Sequence, residues 1–194
     1  MAKSGKFCAA VFSLAMLLSA QAGYAIDHNF NERDYILGNP DATVRFPQEA
    51  FDLAGQLKSQ RKFSDAEGIL LDHLNQARKA APGTDKLGQY MVRLNNVLFD
   101  GGKDDLAIKY GEIASKILNK NFYRSKDSIG WLVNIESYLA MGYNRKHRYK
   151  EAVQKYTDAI KLAEAAPSGK VSSSWIDTLK HQRKDAEKNA ASWH

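Results

Sequence analysis

The chain has 194 residues, of which 44% are apolar and 26% charged, and its formal net charge is +6. A chain of this size can bury the core of one domain, and its composition excludes an intrinsically disordered protein. The excess of basic residues is spread along the sequence, so it does not indicate a specific nucleic-acid binder.

The N-terminus has the pattern of a cleavable signal peptide over residues 1–25. Two lysines precede an apolar run at residues 7–18, and small residues then follow at the spacing of a cleavage site ending at Ala22 or Ala25. About 12 apolar residues are too few to span ~30 Å of hydrocarbon. We therefore predict a mature protein that is periplasmic or secreted and has no transmembrane segment. Because the only cysteine is Cys8, the mature chain should contain neither disulfides nor Cys-ligated metals.

The next segment, residues 26–46, is polar and lacks periodicity. It contains turn-forming residues, among them Gly38-Asn39-Pro40. This composition predicts an extended N-terminal arm that precedes the folded domain.

Helical periodicity begins at residue 47 and continues almost to the C-terminus. Turn-forming residues such as Pro82-Gly83 and Gly101-Gly102 interrupt it at intervals. The breaks predict three helical hairpins and one last helix, over residues 47–82, 84–120, 127–166 and 172–191. Since short connections make neighbouring helices antiparallel, we predict an all-α fold of antiparallel hairpins.

The third hairpin resembles a tetratricopeptide repeat (TPR). The bulky, small and aromatic residues of that repeat are matched in order by Leu139-Ala140, Tyr143, Tyr149, Ala152, Tyr156 and Ala159. The first hairpin follows the pattern with Leu53-Ala54, Leu57, Phe63, Ala66 and Leu70, but has His73 in place of the last small residue. In the second, Leu94, Leu98, Ala107 and Ala114 fit, Asn95 and Gly111 depart from the pattern, and Asp104 replaces the aromatic residue.

This resemblance implies that residues 47–192 form a short right-handed TPR-like solenoid, with helix 172–191 as a cap over its end. Equivalent alanines at positions 66, 107 and 152 are 41 and 45 residues apart, against about 34 residues in the family. Helices longer than the family minimum account for part of this difference.

The resemblance also implies a binding surface, because the first helix of each hairpin lines the concave groove of such a solenoid. The family's groove-facing positions correspond here to Phe51, Arg93, Asn96, Phe99, Asn134, Tyr138 and Met141, with Asp52, Gly55 and Gln89 beside them. Arginine can pair with a carboxylate, asparagine can hold a peptide backbone, and the aromatic residues provide contact area. These residues predict an adaptor that binds a peptide or a subunit, unless they form an ordinary solvated helix face.

No motif of a known catalytic, metal or nucleotide site occurs in the sequence. The five histidines are scattered, and Asp104-Asp105 is explained as the charged start of a helix. We therefore expect no catalytic residue, no metal and no cofactor. Two alternatives remain: an enzyme or accessory subunit of the cell envelope with an unrecognised site, and a basic surface that binds anionic lipid or another polyanion. The basic turn Arg145-Lys146-His147-Arg148 and the basic last helix are the candidates for such a surface.

Overall fold

In this computed structural model the chain is described at residue 28 and over residues 31–38, 48–122 and 128–192. The predicted signal peptide and part of the predicted arm lie outside these residues. The chain up to Phe30 forms a separate unit, and the description that follows concerns the unit that begins at Asn31.

The described part of this unit is all-helical, as the sequence predicts. Its helices are α1 (Arg33–Ile36), α2 (Gln48–Ser59), α3 (Phe63–Ala80), α4 (Asp85–Asp100), α5 (Asp104–Phe122), α6 (Ile129–Arg145), α7 (Tyr149–Glu164) and α8 (Ser173–Ser192). From α2 onward each helix packs against the next, and α4 also contacts α2 and α6. The alternate helices α2, α4 and α6 are therefore neighbours in space as well as members of successive pairs.

The three turns inside the helix pairs have the same backbone geometry. Each contains one residue with positive φ, namely Arg61 (60°), Gly102 (77°) and His147 (58°). The next N–H in each turn donates to a carbonyl five residues earlier, with N···O distances of 2.9, 2.8 and 2.8 Å for Lys62 to Leu57, Lys103 to Leu98 and Arg148 to Tyr143. This is the Schellman ending of a helix, in which a left-handed residue reverses the chain and satisfies the last carbonyls. The local structure thus repeats at residues 61, 102 and 147.

Small buried residues bring the paired helices together. Ala66, Ala107 and Ala152 each lie five residues after the left-handed residue of their turn and are at most 2% exposed. In the first helices of the outer pairs, Ala54 and Ala140 are completely buried. A methyl side chain at these positions lets the two backbones approach, and larger residues fill the space around the contact.

The middle pair reaches the same close packing with different residues. Asn95 is 1% exposed, and its Nδ2 donates to the carbonyl of Ala107 over 2.6 Å. A Cβ atom at Gly111 would lie only 2.8 Å from that Nδ2. The two departures from the repeat pattern are therefore complementary, because the missing side chain of Gly111 leaves the space that Asn95 occupies.

Residues 31–38, which we call the strap, differ from the extended conformation that the sequence predicts. They form the single turn α1, and the side chain of Tyr35 is 1% exposed. The strap packs against α3 and α5. Gly83 N donates to the Tyr35 carbonyl over 2.6 Å, the Arg78 guanidinium lies 5.4 Å from the Tyr35 ring centre, and Lys116 Nζ is 2.6 Å from Glu32 Oε1. The strap folds because burial of one aromatic ring compensates for ordering a short polar segment.

The last helix packs along α7 through two completely buried residues, Leu179 and Ala186. Trp175 and Ile176 of the predicted apolar stripe are half-buried. Most of the remaining surface of α8 is polar, so the helix covers the apolar side of α7 and exposes charged residues.

Among the described helices, none combines the length and the apolar character that a membrane crossing requires.

Candidate functional site

The seven predicted partner-binding residues lie next to one another on the three alternate helices. Phe51 belongs to α2, Arg93, Asn96 and Phe99 belong to α4, and Asn134, Tyr138 and Met141 belong to α6. We call this surface the α2–α4–α6 face. Side-chain contacts connect its members from one helix to the next, so the structure brings together residues that are up to 90 positions apart in the sequence.

Aromatic residues and one arginine form the first part of the face. The guanidinium of Arg93 lies over the Phe51 ring, 4.2 Å from its centre. The Phe51 ring also packs against Tyr90, with ring centres 5.4 Å apart, and edge-on against Trp131, at 6.2 Å. A cation held over an aromatic face is attracted by the negative charge density of the ring. The contact therefore fixes the guanidinium in place without neutralising it.

Arg93 carries a charge that no neighbour neutralises directly. Its side chain is half-buried, its Nε atom is buried without a hydrogen-bond partner, and it makes no ion pair within the described residues. Desolvation lowers the pKa of Arg93 from its ordinary value, and the negative charge of Asp52 opposes this change. The group stays protonated at neutral pH, because an arginine guanidinium loses its proton only in strongly alkaline solution. A partly buried cation in this state favours an external anion.

The centre of the face is a pair of amides. Asn96 Nδ2 donates to Asn134 Oδ1 over 3.3 Å and links α4 to α6. Asn96 is 7% exposed, and its Oδ1 has no hydrogen-bond partner in the described part of the chain. Asn134 is more accessible, so it is the member of the pair that can meet a peptide backbone.

The far part of the face is aromatic and ends in a pocket. The rings of Phe99 and Tyr138 pack edge-to-face, with centres 5.4 Å apart. Phe99 is only 5% exposed, so its role is mainly structural, whereas Tyr138 is half-buried and accessible. Beyond Phe99 and Met141 the surface opens into a pocket of about 260 Å³. Its other walls come from Asn144, Arg145, Tyr156, Gln182 and Asp185, on α6, α7 and α8.

Burial and the nearby carboxylate of Asp185 raise the pKa of Tyr156 to about 12. Burial makes the larger contribution to this change. Because the pKa lies far above 7, the hydroxyl of Tyr156 remains protonated at neutral pH. It therefore presents a neutral donor and acceptor to the pocket.

The basic turn between α6 and α7 has its charges largely matched within the molecule. Arg145 Nη1 is 3.1 Å from Asp104 Oδ1, and Lys146 Nζ is 2.9 Å from Asp105 Oδ1. Arg148 Nε is 3.0 Å from Glu151 Oε1. The two acidic residues that begin α5 therefore face the cations of the next helix pair. This pairing lowers the attraction of the turn for an external polyanion.

The described histidines, cysteines and acidic residues include no group of three that could hold a metal ion. His147 Nδ1 lies 2.7 Å from the hydroxyl of Tyr149, and His181 Nε2 lies 3.4 Å from Asp185 Oδ2. Both contacts are exposed. They resemble ordinary surface interactions more than a catalytic base held by a buried partner.

Sequence reasoning missed part of the site. Tyr90 and Trp131, which surround Phe51, lie three residues before Arg93 and Asn134, so helical spacing alone could have placed them on the same face. Gln182 and Asp185 had no such signal. Their place in the pocket depends on where α8 crosses the earlier helices, and the spacing of residues within α8 does not determine that.

Comparison of the sequence with protein-family models gives no match, and comparison with curated proteins gives no significant match.

Proposed function

We propose that this protein is an exported TPR-like helical-repeat adaptor, periplasmic or secreted, which binds a peptide segment or a subunit on the α2–α4–α6 face. The observation that carries the proposal is Arg93, whose half-buried cation lacks an ion-pair partner among the described residues and is held in place by Phe51. The partner supplies an aspartate or glutamate side chain to this group, since an unpaired and partly desolvated cation gains most from a carboxylate.

The repeat character supports the choice of this surface. The turns at Arg61, Gly102 and His147 share one geometry, and helices two apart in the sequence contact each other. Both features fit stacked helical pairs, in which the first helices share one side. A right-handed solenoid with a concave groove would place the α2–α4–α6 face inside that groove. The helix α8 then serves as the polar-backed cap of the last pair.

A binding role fits the site better than catalysis. The face contains one cation, two linked amides and several aromatic side chains, which is the composition of a recognition surface. None of these contacts pairs a nucleophile with an oriented general base, the arrangement that acyl transfer or hydrolysis would need.

The test is photo-crosslinking from the face in the native cell envelope. A benzoylphenylalanine at Gln89, beside the face on α4, should capture a partner. Capture should fall about 10- to 100-fold in Arg93→Met, because a hydrogen bond to a charged group is worth about 1.5–3 kcal/mol. Methionine keeps an apolar contact with Phe51 and removes the charge together with the N–H donors of the guanidinium. Tyr138→Ala should weaken capture as well.

Lys161→Met is the matched control, because Lys161 is an exposed cation on α7 away from the face. It should leave capture unchanged. Equal capture by the parent protein, Arg93→Met and Tyr138→Ala, with helical circular dichroism preserved in each, would reject the proposed face.

A further inference from the structure

The pocket beyond Met141 continues the α2–α4–α6 face and has a chemistry of its own. Its volume of about 260 Å³ is below the range of roughly 300–1,000 Å³ that is usual for pockets holding drug-sized ligands. It adjoins the face through Phe99 and Met141, while Gln182 and Asp185 of α8 form the opposite wall. Its size and position suit one side chain of a peptide that lies on the face.

Two hydrogen-bond acceptors on the pocket walls lack a strong partner within the described residues. Asn144 Oδ1 is buried and accepts no hydrogen bond within the described ranges. The carboxylate of Asp185 has only weak neighbours on its own helix, His181 Nε2 at 3.4 Å and Lys188 Nζ at 3.7 Å. Both of these side chains are more than three-quarters exposed. Such contacts are screened by water and leave the carboxylate available to a ligand.

The one cation on the pocket wall is already engaged. Arg145 Nη1 donates to the Phe99 carbonyl at 2.9 Å and to Asp104 Oδ1 at 3.1 Å. Its guanidinium also lies over the Phe99 ring, 3.5 Å from the centre. Arg145 is thus held by a carboxylate, a carbonyl and a ring, which leaves Asn144 Oδ1 and the carboxylate of Asp185 as acceptors for a ligand.

We propose that this pocket receives one lysine or arginine side chain of the peptide bound on the α2–α4–α6 face, an inference that rests on the proposed function. The aliphatic stem of the ligand packs on Met141, which is half-buried in the pocket wall. Its charged head donates hydrogen bonds to Asn144 Oδ1 and to the carboxylate of Asp185. An apolar floor with acceptors at its end matches the shape of a basic side chain, which is apolar along its stem and charged at its tip.

The position of the pocket also sets a minimum spacing between two charged residues of the partner. Phe99 follows Arg93 by six residues on α4, which is a rise of about 9 Å along the helix. An extended peptide advances about 3.3 Å per residue, so it covers this distance in about three residues. The basic residue of the partner therefore lies at least about three residues from the acidic residue that pairs with Arg93.

The direct test is a titration of the isotope-labelled protein followed by amide chemical shifts. The probe is Nα-acetyl-lysine-N-methylamide, and the matched control ligand is the norleucine analogue, which has the same stem without the ammonium group. Only the lysine probe should shift the amides around Met141–Arg145 and Gln182–Asp185. Asp185→Asn should weaken its binding about tenfold, since it removes a charge-assisted hydrogen bond.

Glu187→Gln is the control variant, because Glu187 is an exposed carboxylate on the same helix that does not line the pocket. It should leave the affinity for lysine unchanged. Equal binding of the lysine and norleucine probes, or equal affinity in the parent and in Asp185→Asn, would overturn the inference.

The two proposals fail in different ways. Partner capture that depends on Arg93, together with no binding of the lysine probe, leaves the proposed function standing and rejects the basic-residue pocket. Capture that is indifferent to both Arg93→Met and Tyr138→Ala rejects the proposed function and, with it, the assignment of the pocket to a bound peptide. If both proposals hold, Asp185→Asn also lowers partner capture, whereas Glu187→Gln does not.

Discussion

At the scale of single residues, the middle helix pair contains a size exchange. Asn95 is larger than the alanines at the equivalent sites of the outer pairs, and Gly111 is smaller than its equivalents, Leu70 and Tyr156. The structure shows that the two changes compensate each other, because a Cβ at Gly111 would collide with Asn95 Nδ2 as well as with Leu139 of the next helix pair. Asn95 alone would overlap a larger residue at position 111, and Gly111 alone would leave a cavity in the helix contact. Together the two residues fill the space that an alanine and a larger side chain fill in the outer pairs.

This compensation predicts energetic coupling between the two sites. Gly111→Ala should be better tolerated by about 1 kcal/mol in an Asn95→Ala background than in the parent, because the Asn95 amide no longer collides with the new Cβ, although Leu139 still approaches it equally closely in both backgrounds. The gain in helix propensity from glycine to alanine is the same in both backgrounds and cancels. Free energies of unfolding of the four proteins in urea measure the coupling.

Gly68→Ala provides the control for that cycle. Gly68 lies within α3, and a Cβ there would have nothing within 4 Å. Alanine should therefore stabilise the protein by roughly 0.5–1 kcal/mol whether residue 95 is asparagine or alanine. Additive effects of Asn95→Ala and Gly111→Ala, within about 0.3 kcal/mol, would contradict the coupling.

The candidate site shows which residues can be predicted from spacing. The face residues were expected from the resemblance to the tetratricopeptide repeat, which implies the side of each helix that its groove-facing positions occupy. The engagement of Arg93 with Phe51 could not be predicted, since it depends on how far apart α2 and α4 lie. The burial of Phe99 and the position of Asp185 in the pocket wall could not be predicted either, because both depend on helices that are distant in sequence.

At the scale of helices, Glu136 connects three elements. It lies on α6 with its side chain 3% exposed, accepts a hydrogen bond from Ser115 Oγ on α5, and is 2.9 Å from Lys155 Nζ on α7. A buried carboxylate of this kind is costly unless its partners remain in place. The contact therefore makes the packing of α5, α6 and α7 interdependent.

Removal of the Lys155 ammonium group should show that the packing of these three helices depends on this contact. Lys155→Met leaves Glu136 buried without its counter-ion and should lower the free energy of unfolding by about 3 kcal/mol. Lys146→Met is the comparison, because its partner Asp105 is 80% exposed and surface pairs contribute about 0–1 kcal/mol. Denaturant unfolding measures both.

A second change distinguishes the lost charge from lost packing in that experiment. Glu136→Gln combined with Lys155→Met removes the uncompensated charge and should recover most of the loss. If Lys155→Met costs no more than Lys146→Met, the buried carboxylate is not a stabilising connection.

The strap shows why short elements escape prediction. A single turn such as α1 has no periodicity to detect, and its polar sequence is typical of an extended segment. Its structure depends on the burial of Tyr35 beside Arg78 and Gly83, residues that occur more than 40 positions later. The longer helices, by contrast, contain the signals of their own bounds, as at Thr84, whose side chain caps α4 by accepting from Leu87 N over 3.3 Å.

At the scale of the whole molecule, each helix packs mainly against its neighbours in sequence. We therefore expect the loss of stability caused by a substitution in one helix to spread first to the adjacent helix. Leu179 is completely buried where α8 packs on α7. Leu179→Ala removes packing that is worth about 2–5 kcal/mol at a site of this kind. Amide hydrogen exchange should therefore rise first in α8 and next in α7, while α2 and α3 keep their protection.

Ile176→Ala on the same helix is the control, since Ile176 is only half-buried and should produce a smaller change with the same distribution. A rise in exchange of equal size in all helices would indicate a single cooperative unit instead.

The strap also has a consequence for the order of events during synthesis. Glu32 and Lys116, which it joins, are separated by 84 positions in the chain. Because the ribosome makes the N-terminal residues first, the strap exists for a long interval before α5, against which it docks, has been made. Tyr35 can meet Arg78 and Gly83 earlier, but Glu32 can pair with Lys116 only once α5 exists, so complete docking of the strap marks the completion of the first two helix pairs.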